Sequence, residues 1–289
     1  MRIINFGSIN LDFVYQVDHF VQPGETMKAV DFHRFAGGKG FNQSIALARA
    51  GSPPQHVGQV GEDGRGLVEQ LKSEGVDVSR VEIGPAPTGH AIIQVDASGE
   101  NSILVYGGAN REISSSSLEA ACSSLNGDDW VLIQNEISGL ETIIRLASEQ
   151  GSRIVFNPSP MEDSLLDLPL EQVDTFLINR SEGEALSGKT TPEHIIEELK
   201  RRFPDATLVL TLGAQGVLYA NREHEIRVDA QSVEVVDTTG AGDTFAGFFL
   251  ASLHGGATAE EALQRACRAS AICVSRAGAA ASIPQESEL

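Results

Sequence analysis

The chain has 289 residues and a formal net charge of −19 at pH 7, from 21 Lys and Arg against 40 Asp and Glu. That balance argues against nucleic acid as the main partner, because phosphate backbones need a basic footprint, and against an anionic membrane surface. Hydrophobic residues make up 41%, enough to bury a sizeable core, and the length suits two domains or one α/β domain with a small appendage. Cys122, Cys267 and Cys273 have neither disulfide nor zinc spacing, which fits a reducing compartment. The start, MRIINFGSIN, has no leader pattern, and the nearly uncharged stretch 244–259 is too short and Gly-rich to span a bilayer. A cytoplasmic protein is expected.

The predicted elements begin with a buried strand, Ile3 to Phe6, ending at Gly7. Residues 11–36 follow as short mixed runs around Pro23-Gly24. A helix is predicted over 42–50 and another over 65–74. Residues 88–107 read as a hairpin, with a polar turn at 96–101 between two alternating runs. The segments 11–36 and 88–107 are together expected to form a small β flap over one end of the sheet. Apolar runs recur at Val131-Leu132-Ile133, Ile154-Val155-Phe156, Phe176-Leu177-Ile178 and Leu208-Val209-Leu210. Runs of this kind suit parallel strands covered on both faces. Helical patterns at 139–150 and 192–202 lie between them. Strand and helix in alternation predict a doubly wound, three-layer α/β/α sandwich.

Four groups of residues invite a chemical reading. The first is Asp237-Thr238-Thr239-Gly240-Ala241-Gly242-Asp243, followed by an apolar helix, 246–253. Glycines just before a helix expose backbone N–H groups where the helix dipole favours an anion. Asp243 can be a plain helix cap, but a cap needs no Gly-Ala-Gly before it. An anion hole beside a carboxylate suits phosphoryl transfer to a hydroxyl. The second is Gly37-Gly38-Lys39-Gly40-Phe41-Asn42, a Gly turn leading into a helix. It is neither a Walker A loop nor a dinucleotide fingerprint, since Gln43 stands at the third glycine position. Lys39 and Asn42 there can bind polyol hydroxyls or a phosphate. The third, Asn10 and Asp12, follows the first strand at the carboxyl edge where doubly wound folds bind ligands; alone, they read as loop residues. The fourth is Glu136, Asn157, Asn179 with Glu182, and Thr211 to Gly216, each at a later strand end.

Taken together, Gly7 to Asp12, Pro23 to Thr26, Gly37 to Asn42, Asn179 to Glu182, Thr211 to Gly216 and Asp237 to Asp243 resemble the ribokinase-like (PfkB) carbohydrate kinases in motif and order across nearly the whole chain. The resemblance implies one α/β domain over 1–289 with the β lid inserted. It also implies transfer of the γ-phosphoryl of ATP to a primary hydroxyl of a small sugar. Ribose is the first expectation; other pentoses, fructose, 2-keto-3-deoxygluconate and nucleosides such as adenosine are the alternatives. By position, Asp243 is the implied base, and Gly240, Ala241 and Gly242 the anion hole. Asn10, Asp12, Gly38, Lys39, Asn42 and Glu136 are the implied sugar contacts. Asn179 and Glu182 match positions near Mg²⁺ and the phosphates, and Thr211, Gly213 and Gly216 match the nucleotide loop. Asp237, Thr239, Cys273, Arg276, Gly278 and Ser282 match a K⁺ site built mostly from carbonyls. A homodimer through the lid is also implied.

Three features depart from the family pattern. Cys267 stands where many relatives have Asn near the adenine, His90 stands on the lid where a small apolar residue is usual, and a terminal helix is missing before Leu289. A sugar or nucleotide sensor on the same scaffold remains the alternative function, although Asp243 and both glycines are present. A nicotinamide-dependent dehydrogenase lacks its fingerprint after the first strand.

Overall fold

Alternation along each strand decides which of two cores a side chain joins. The computed structural model describes residues 1–289. In chain order its elements are β1 (Ile3–Phe6), β2 (Asn10–Gln16), β3 (Asp31–Gly37), α1 (Lys39–Arg49), β4 (Gln55–Val60), α2 (Arg65–Ser73), β5 (Asp77–Ile83), β6 (Gly89–Val95), β7 (Asn101–Tyr106), α3 (Ser115–Cys122) and β8 (Trp130–Gln134). Then come α4 (Leu140–Glu149), β9 (Arg153–Asn157), β10 (Thr175–Asn179), α5 (Arg180–Ser187), α6 (Pro192–Arg202), β11 (Thr207–Thr211), β12 (Val217–Ala220), β13 (Glu225–Val228), α7 (Ala241–His254) and α8 (Ala259–Val274).

Nine strands form the main sheet in the order β13-β12-β11-β10-β9-β8-β1-β4-β5. All neighbours from β11 to β5 are parallel, and β12 and β13 add an antiparallel edge. Ile3, Leu132, Val155, Leu177 and Val209 point into one core with α1, α2, α7 and α8. Their neighbours Ile4, Val131, Ile133, Ile154, Phe156, Phe176, Ile178, Leu208 and Leu210 point into the other, with α3, α4, α5 and α6. Side-chain period 2 therefore makes the three-layer sandwich from strands that are apolar on both faces.

A second sheet has the order β3-β2-β6-β7. Strand β2 leaves β1 after only Gly7, Ser8 and Ile9, so the small sheet rises from the carboxyl edge of the large one. In the register, Asp12 lies beside Phe35 and Ala91, while Leu11 lies beside Ala36 and His90. Asp12 and His90 therefore face opposite sides. Phe32, Phe35, Ile92, Ile103, Leu104, Val105 and Tyr106 on this sheet are exposed. No helix is long and apolar enough to cross a membrane.

Strand order reverses at β1, whose neighbours are β4 and β8. In open α/β sheets, this switch point leaves a crevice outside the carboxyl ends of the strands. Two close approaches shape it. A Cβ on Gly40 would overlap the backbone of Gly7 and Ser8, and one on Gly247 would overlap Ala46. The first glycine lets α1 start against the end of β1, and the second lets α7 lie against α1.

Candidate active site

Helix α7 begins with Gly240 at φ 77°, in the left-handed region that glycine enters without strain. No side chain caps this terminus. The Ala241 N–H donates back to the Thr238 carbonyl at 3.3 Å. The N–H groups of Gly240, Gly242 and Asp243 have no acceptor in the chain. The open donors are thus those of Gly240, Gly242 and Asp243 itself, with Ala241 partly engaged. The Asp243 side chain does not cap its own helix. Its Oδ2 accepts from Asn42 Nδ2 at 3.1 Å, its Oδ1 accepts from Gln43 Nε2 at 2.9 Å, and Lys39 Nζ lies 3.9 Å from Oδ1.

Lys39, Asn42 and Gln43 occupy the first turns of α1, which Gly38 enters at φ 89°. Burial alone pulls the Lys39 ammonium down, but Asp243, Glu136 and Glu182 outweigh it and hold the group raised. Lys39 is therefore a fixed cation in an acidic molecule. Asn42 is buried and its Oδ1 has no partner, an uncommon state for a buried polar atom.

Asn10 and Asp12 stand at the start of β2. Asn10 Oδ1 accepts from Asn110 Nδ2 at 2.6 Å, and Asn110 Oδ1 accepts from the Ile9 N–H at 3.0 Å. The Asp12 carboxylate packs so closely on Gly37 that any Cβ there would overlap it. Burial, with the nearby Glu136 charge, pushes the Asp12 carboxyl up to about 6. Glu136 Oε2 accepts from the Lys39 N–H at 2.8 Å and from the Ser8 hydroxyl. Contacts thus link all six predicted sugar positions: Glu136 reaches Lys39 and lies near Asp12, Gly38 lies against the Asn10 backbone, and Lys39 and Asn42 reach Asp243.

On the other side of Asp243, Lys39, Asn157, Asn179, Glu182, Thr211 and Gly242 line a recess. Asn179 and Glu182 form a capping box on α5: Asn179 N and Nδ2 donate to the Glu182 carboxylate, and Glu182 N donates to Asn179 Oδ1. The spacing Asn-x-x-Glu carries that signal in the sequence. Gly213 and Gly216 hold φ of 58° and 85° in the turn between β11 and β12, and a Cβ on Gly216 would overlap the Val228 carbonyl.

The positions matched to K⁺ also converge. Asp237 Oδ1 accepts from the Thr239 N–H and Oδ2 from the Gly278 N–H, both at 2.9 Å, so this carboxylate ties two loops together. Burial pushes the other way, but these hydrogen bonds hold the Asp237 carboxyl below its usual range. Cys273 Sγ lies 3.0 Å from Ser282 Oγ, and both residues are buried. The Cys273 carbonyl accepts from the Arg276 N–H, while the Arg276 side chain turns out to Glu288. The Thr244 hydroxyl is buried beside the Cys273 thiol.

Neither departure in mid-chain enters the crevice as a charged group. His90 faces away from Asp12, with its ring against Phe13 and Tyr106. Cys267 lies on the buried face of α8, in the core, and burial pushes its thiol up to about 11. Sequence reading missed Gln43 as a partner of Asp243 and Asn110 as the support of Asn10. Gln43 was in view as the residue where a third glycine should be; Asn110 carried no signal.

A carboxylate at a helix N-terminus with open N–H groups, flanked by amide and carboxylate side chains on one side and the Asn157–Asn179–Glu182–Thr211 recess on the other, is the arrangement of a phosphotransferase that acts on a hydroxyl. Residues 2–286 match the profile of "pfkB family carbohydrate kinase". Ribokinase of Haemophilus influenzae is 34% identical over 294 positions, covering 98% of this chain and 95% of its own. The ribokinase structure from Thermotoga maritima superposes with a TM-score of 0.89 at 33% identity, covering 99% of this chain and 97% of that one. The Arabidopsis thaliana ribokinase structure, complexed with ribose and ATP, gives 0.87 at 30%, covering 99% and 96%. The chain belongs to the pfkB family and is an ATP-dependent carbohydrate kinase.

Proposed function

We propose that the protein phosphorylates ribose at its primary hydroxyl, with Asp243 as the general base. The carrying observation is that Asp243, open N–H groups and the Asn10–Asp12–Asn42–Glu136 group meet at one point. Carboxylates and amides pair well with vicinal hydroxyls, and no cluster of basic residues accompanies Lys39 to receive a phosphate already on the sugar. Relatives spread over bacteria and plants carry the name ribokinase.

The steps follow from the residues. Asp12, Asn10 and Glu136 hold the sugar hydroxyls, with Asn42 beside them on Asp243. Asn42, Gln43 and Lys39 keep the Asp243 carboxylate in place. It accepts the hydroxyl proton as that oxygen attacks the γ-phosphorus of ATP. The N–H groups of Gly240, Gly242 and Asp243, with Lys39, stabilise the charge on the transferring group. The small sheet closes over the sugar and excludes water. No cluster of three or more His, Cys, Asp or Glu exists that would cage a metal. That suits Mg²⁺, which keeps several waters and binds chiefly through ATP phosphates, with Asn157, Asn179 and Glu182 nearest. Bound there, Mg²⁺ neutralises phosphate charge. The tied loops at Asp237, Thr239, Cys273, Arg276, Gly278 and Ser282 suit K⁺, which takes carbonyl and hydroxyl oxygens.

The exposed apolar residues of the small sheet support a homodimer through that sheet, and the enzyme is placed in the cytoplasm. The deciding experiment is sugar-dependent ADP release with ribose, 2-deoxyribose, fructose, 2-keto-3-deoxygluconate and adenosine, each with K⁺ and with a bulky organic cation. Ribose is expected to give the highest kcat/KM and K⁺ the higher rate. A different best substrate overturns the ribose reading, and equal rates with both cations remove K⁺.

A further inference from the structure

We propose that Gln43 is a positioning residue for the Asp243 carboxylate, set with its N–H towards that carboxylate by a buried relay of side chains that ends on His56. The inference rests on the reading of Asp243 as the base.

Gln43 Nε2 donates to Asp243 Oδ1 at 2.9 Å and to Asn157 Oδ1 at 3.1 Å. Its Oε1 accepts from Gln134 Nε2 at 2.8 Å, and Gln134 Nε2 also donates to Asn5 Oδ1 at 2.9 Å. Asn5 Nδ2 donates to the Gly40 carbonyl and to Ser44 Oγ, both at 2.8 Å. Ser44 Oγ lies 2.8 Å from His56 Nδ1, and His56 Nε2 lies 3.1 Å from the Gly7 carbonyl. Asn5, Gln43, Ser44, His56 and Gln134 are all at most 1% exposed. The relay joins β1, α1, β4 and β8 to the start of α7.

Its direction is determined, because carbonyls only accept. Gly7 requires the proton on His56 Nε2. Burial pulls the His56 ring down to about 4, so the ring is neutral and Nδ1 accepts from the Ser44 hydroxyl. Ser44 Oγ then accepts from Asn5. The Gly40 carbonyl fixes the same face of Asn5, so Asn5 presents Oδ1 to Gln134. Gln134 therefore presents Nε2 to both Asn5 and Gln43, and Gln43 is left to present Nε2 to Asp243. Asn157 agrees with this from the other side, since its Nδ2 donates to the Leu177 carbonyl and its Oδ1 is free to accept. A reversed Gln43 would aim a carbonyl at the carboxylate. Gln134 Oε1 is buried without a partner, which is the cost of keeping Nε2 on the relay. Such a cost is incurred where orientation matters to something else.

The test is a double-mutant cycle, with Gln43→Met and Gln43→Glu made in the wild-type and Asp243→Asn backgrounds. In the wild-type background each is expected to lower kcat roughly 10- to 100-fold with the KM for ATP unchanged, the scale of a misplaced catalytic group. In the Asp243→Asn background the same changes are expected to cost less than about threefold, because a residue acting through a missing partner has nothing left to lose. Equal losses in both backgrounds, or a kcat within about twofold of wild type, overturn the proposal. If Gln43→Met fails to fold, the near-isosteric Gln43→Glu decides. If Asp243→Asn turnover lies below detection, binding decides: intact ATP and ribose affinity with lowered kcat supports positioning, and lost affinity overturns it. Near-normal turnover of Asp243→Asn alone sinks the base assignment, which separates that failure from this one.

Discussion

Asn42 and Asp243 stand 201 residues apart in the chain, and the Asn42 Nδ2 donates to the Asp243 Oδ2 at 3.1 Å inside the buried junction of α1 and α7. The amide nitrogen thus holds the base, while its oxygen is buried without a partner in the free protein. Asn42→Ala is expected to lower kcat at least 10-fold, because the amide holds the base, and to raise the ribose KM by a similar factor if Asn42 also contacts the sugar as proposed. Steady-state kinetics in ribose and ATP checks this. A change confined to the ATP KM would contradict it.

Asp243→Asn keeps the shape of the side chain and removes the proton acceptor. The expected loss in kcat is about 10²- to 10⁴-fold, the usual worth of general base catalysis. The thermal midpoint and ATP affinity should stay near wild type. Turnover close to wild type would remove Asp243 as the base.

Asp12 couples function to stability. Its folded carboxyl holds a proton up to about pH 6, whereas an unfolded one releases it near pH 4. Between those values the folded state binds more protons, so stability falls as pH rises from about 4 to 6 and stays reduced at neutral pH. Asp12→Asn removes the buried charge. It is expected to stabilise the free enzyme by on the order of 1 kcal/mol at pH 8 and by little at pH 4. The same change raises the ribose KM. Chemical denaturation at the two pH values, with kinetics alongside, checks both. A variant less stable at pH 8 than wild type would mean that Asp12 is satisfied by partners in the free protein.

A glycine in the first turn of the sugar-side helix tests the packing. Gly40→Ala would drive a methyl into the backbone of Gly7 and Ser8. No side chain can move aside, so the end of β1 or the start of α1 must shift, at a cost of roughly 1–3 kcal/mol. Lys39, Asn42 and Gln43 shift with it, and kcat falls together with stability. A denaturation curve that overlays wild type would show that the junction has room.

The central sheet was legible because β1 and β8 to β11 are short apolar runs, and a run apolar on both faces has few other places to lie. Strand β4, with His56, Gly58 and Gln59 inside it, hides its register behind buried residues that are not apolar, and His56 is paired there with Ser44 and the Gly7 carbonyl. The edge strand β13, Glu225-Ile226-Arg227-Val228, lacks the apolar run as well. Glycine motifs pointed to the site, yet the reason for each glycine needed coordinates: Gly37 makes room for the Asp12 carboxylate, and Gly40 for the turn at Gly7. The Asn179–Glu182 pair shows the opposite case. A local spacing there announces a helix cap, and the cap is formed. Contacts made across the chain, such as Gln43 with Asp243 or Asn110 with Asn10, leave no trace in local spacing.

The charge of −19 bears on ATP. The field of the whole molecule opposes a nucleotide anion, so ATP affinity must come from short-range groups: open N–H donors at Gly240, Gly242 and Asp243, and the Lys39 ammonium. Salt acts on these two contributions with opposite sign. It screens the long-range repulsion, which helps binding, and weakens exposed attractions, which hurts it. Lys39 is partly buried beside Asp243, Glu136 and Glu182, so it is screened less than a fully exposed cation. The KM for ATP is therefore expected to change by less than about threefold between ~0.05 M and ~0.5 M salt, a range over which the Debye length falls from about 14 Å to about 4 Å. The measurement is ATP saturation at fixed ribose, fixed K⁺ and fixed free Mg²⁺, with ionic strength set by an inert salt. A rise of tenfold or more would mean that exposed basic side chains carry the nucleotide, and the open N–H groups of α7 would then be secondary.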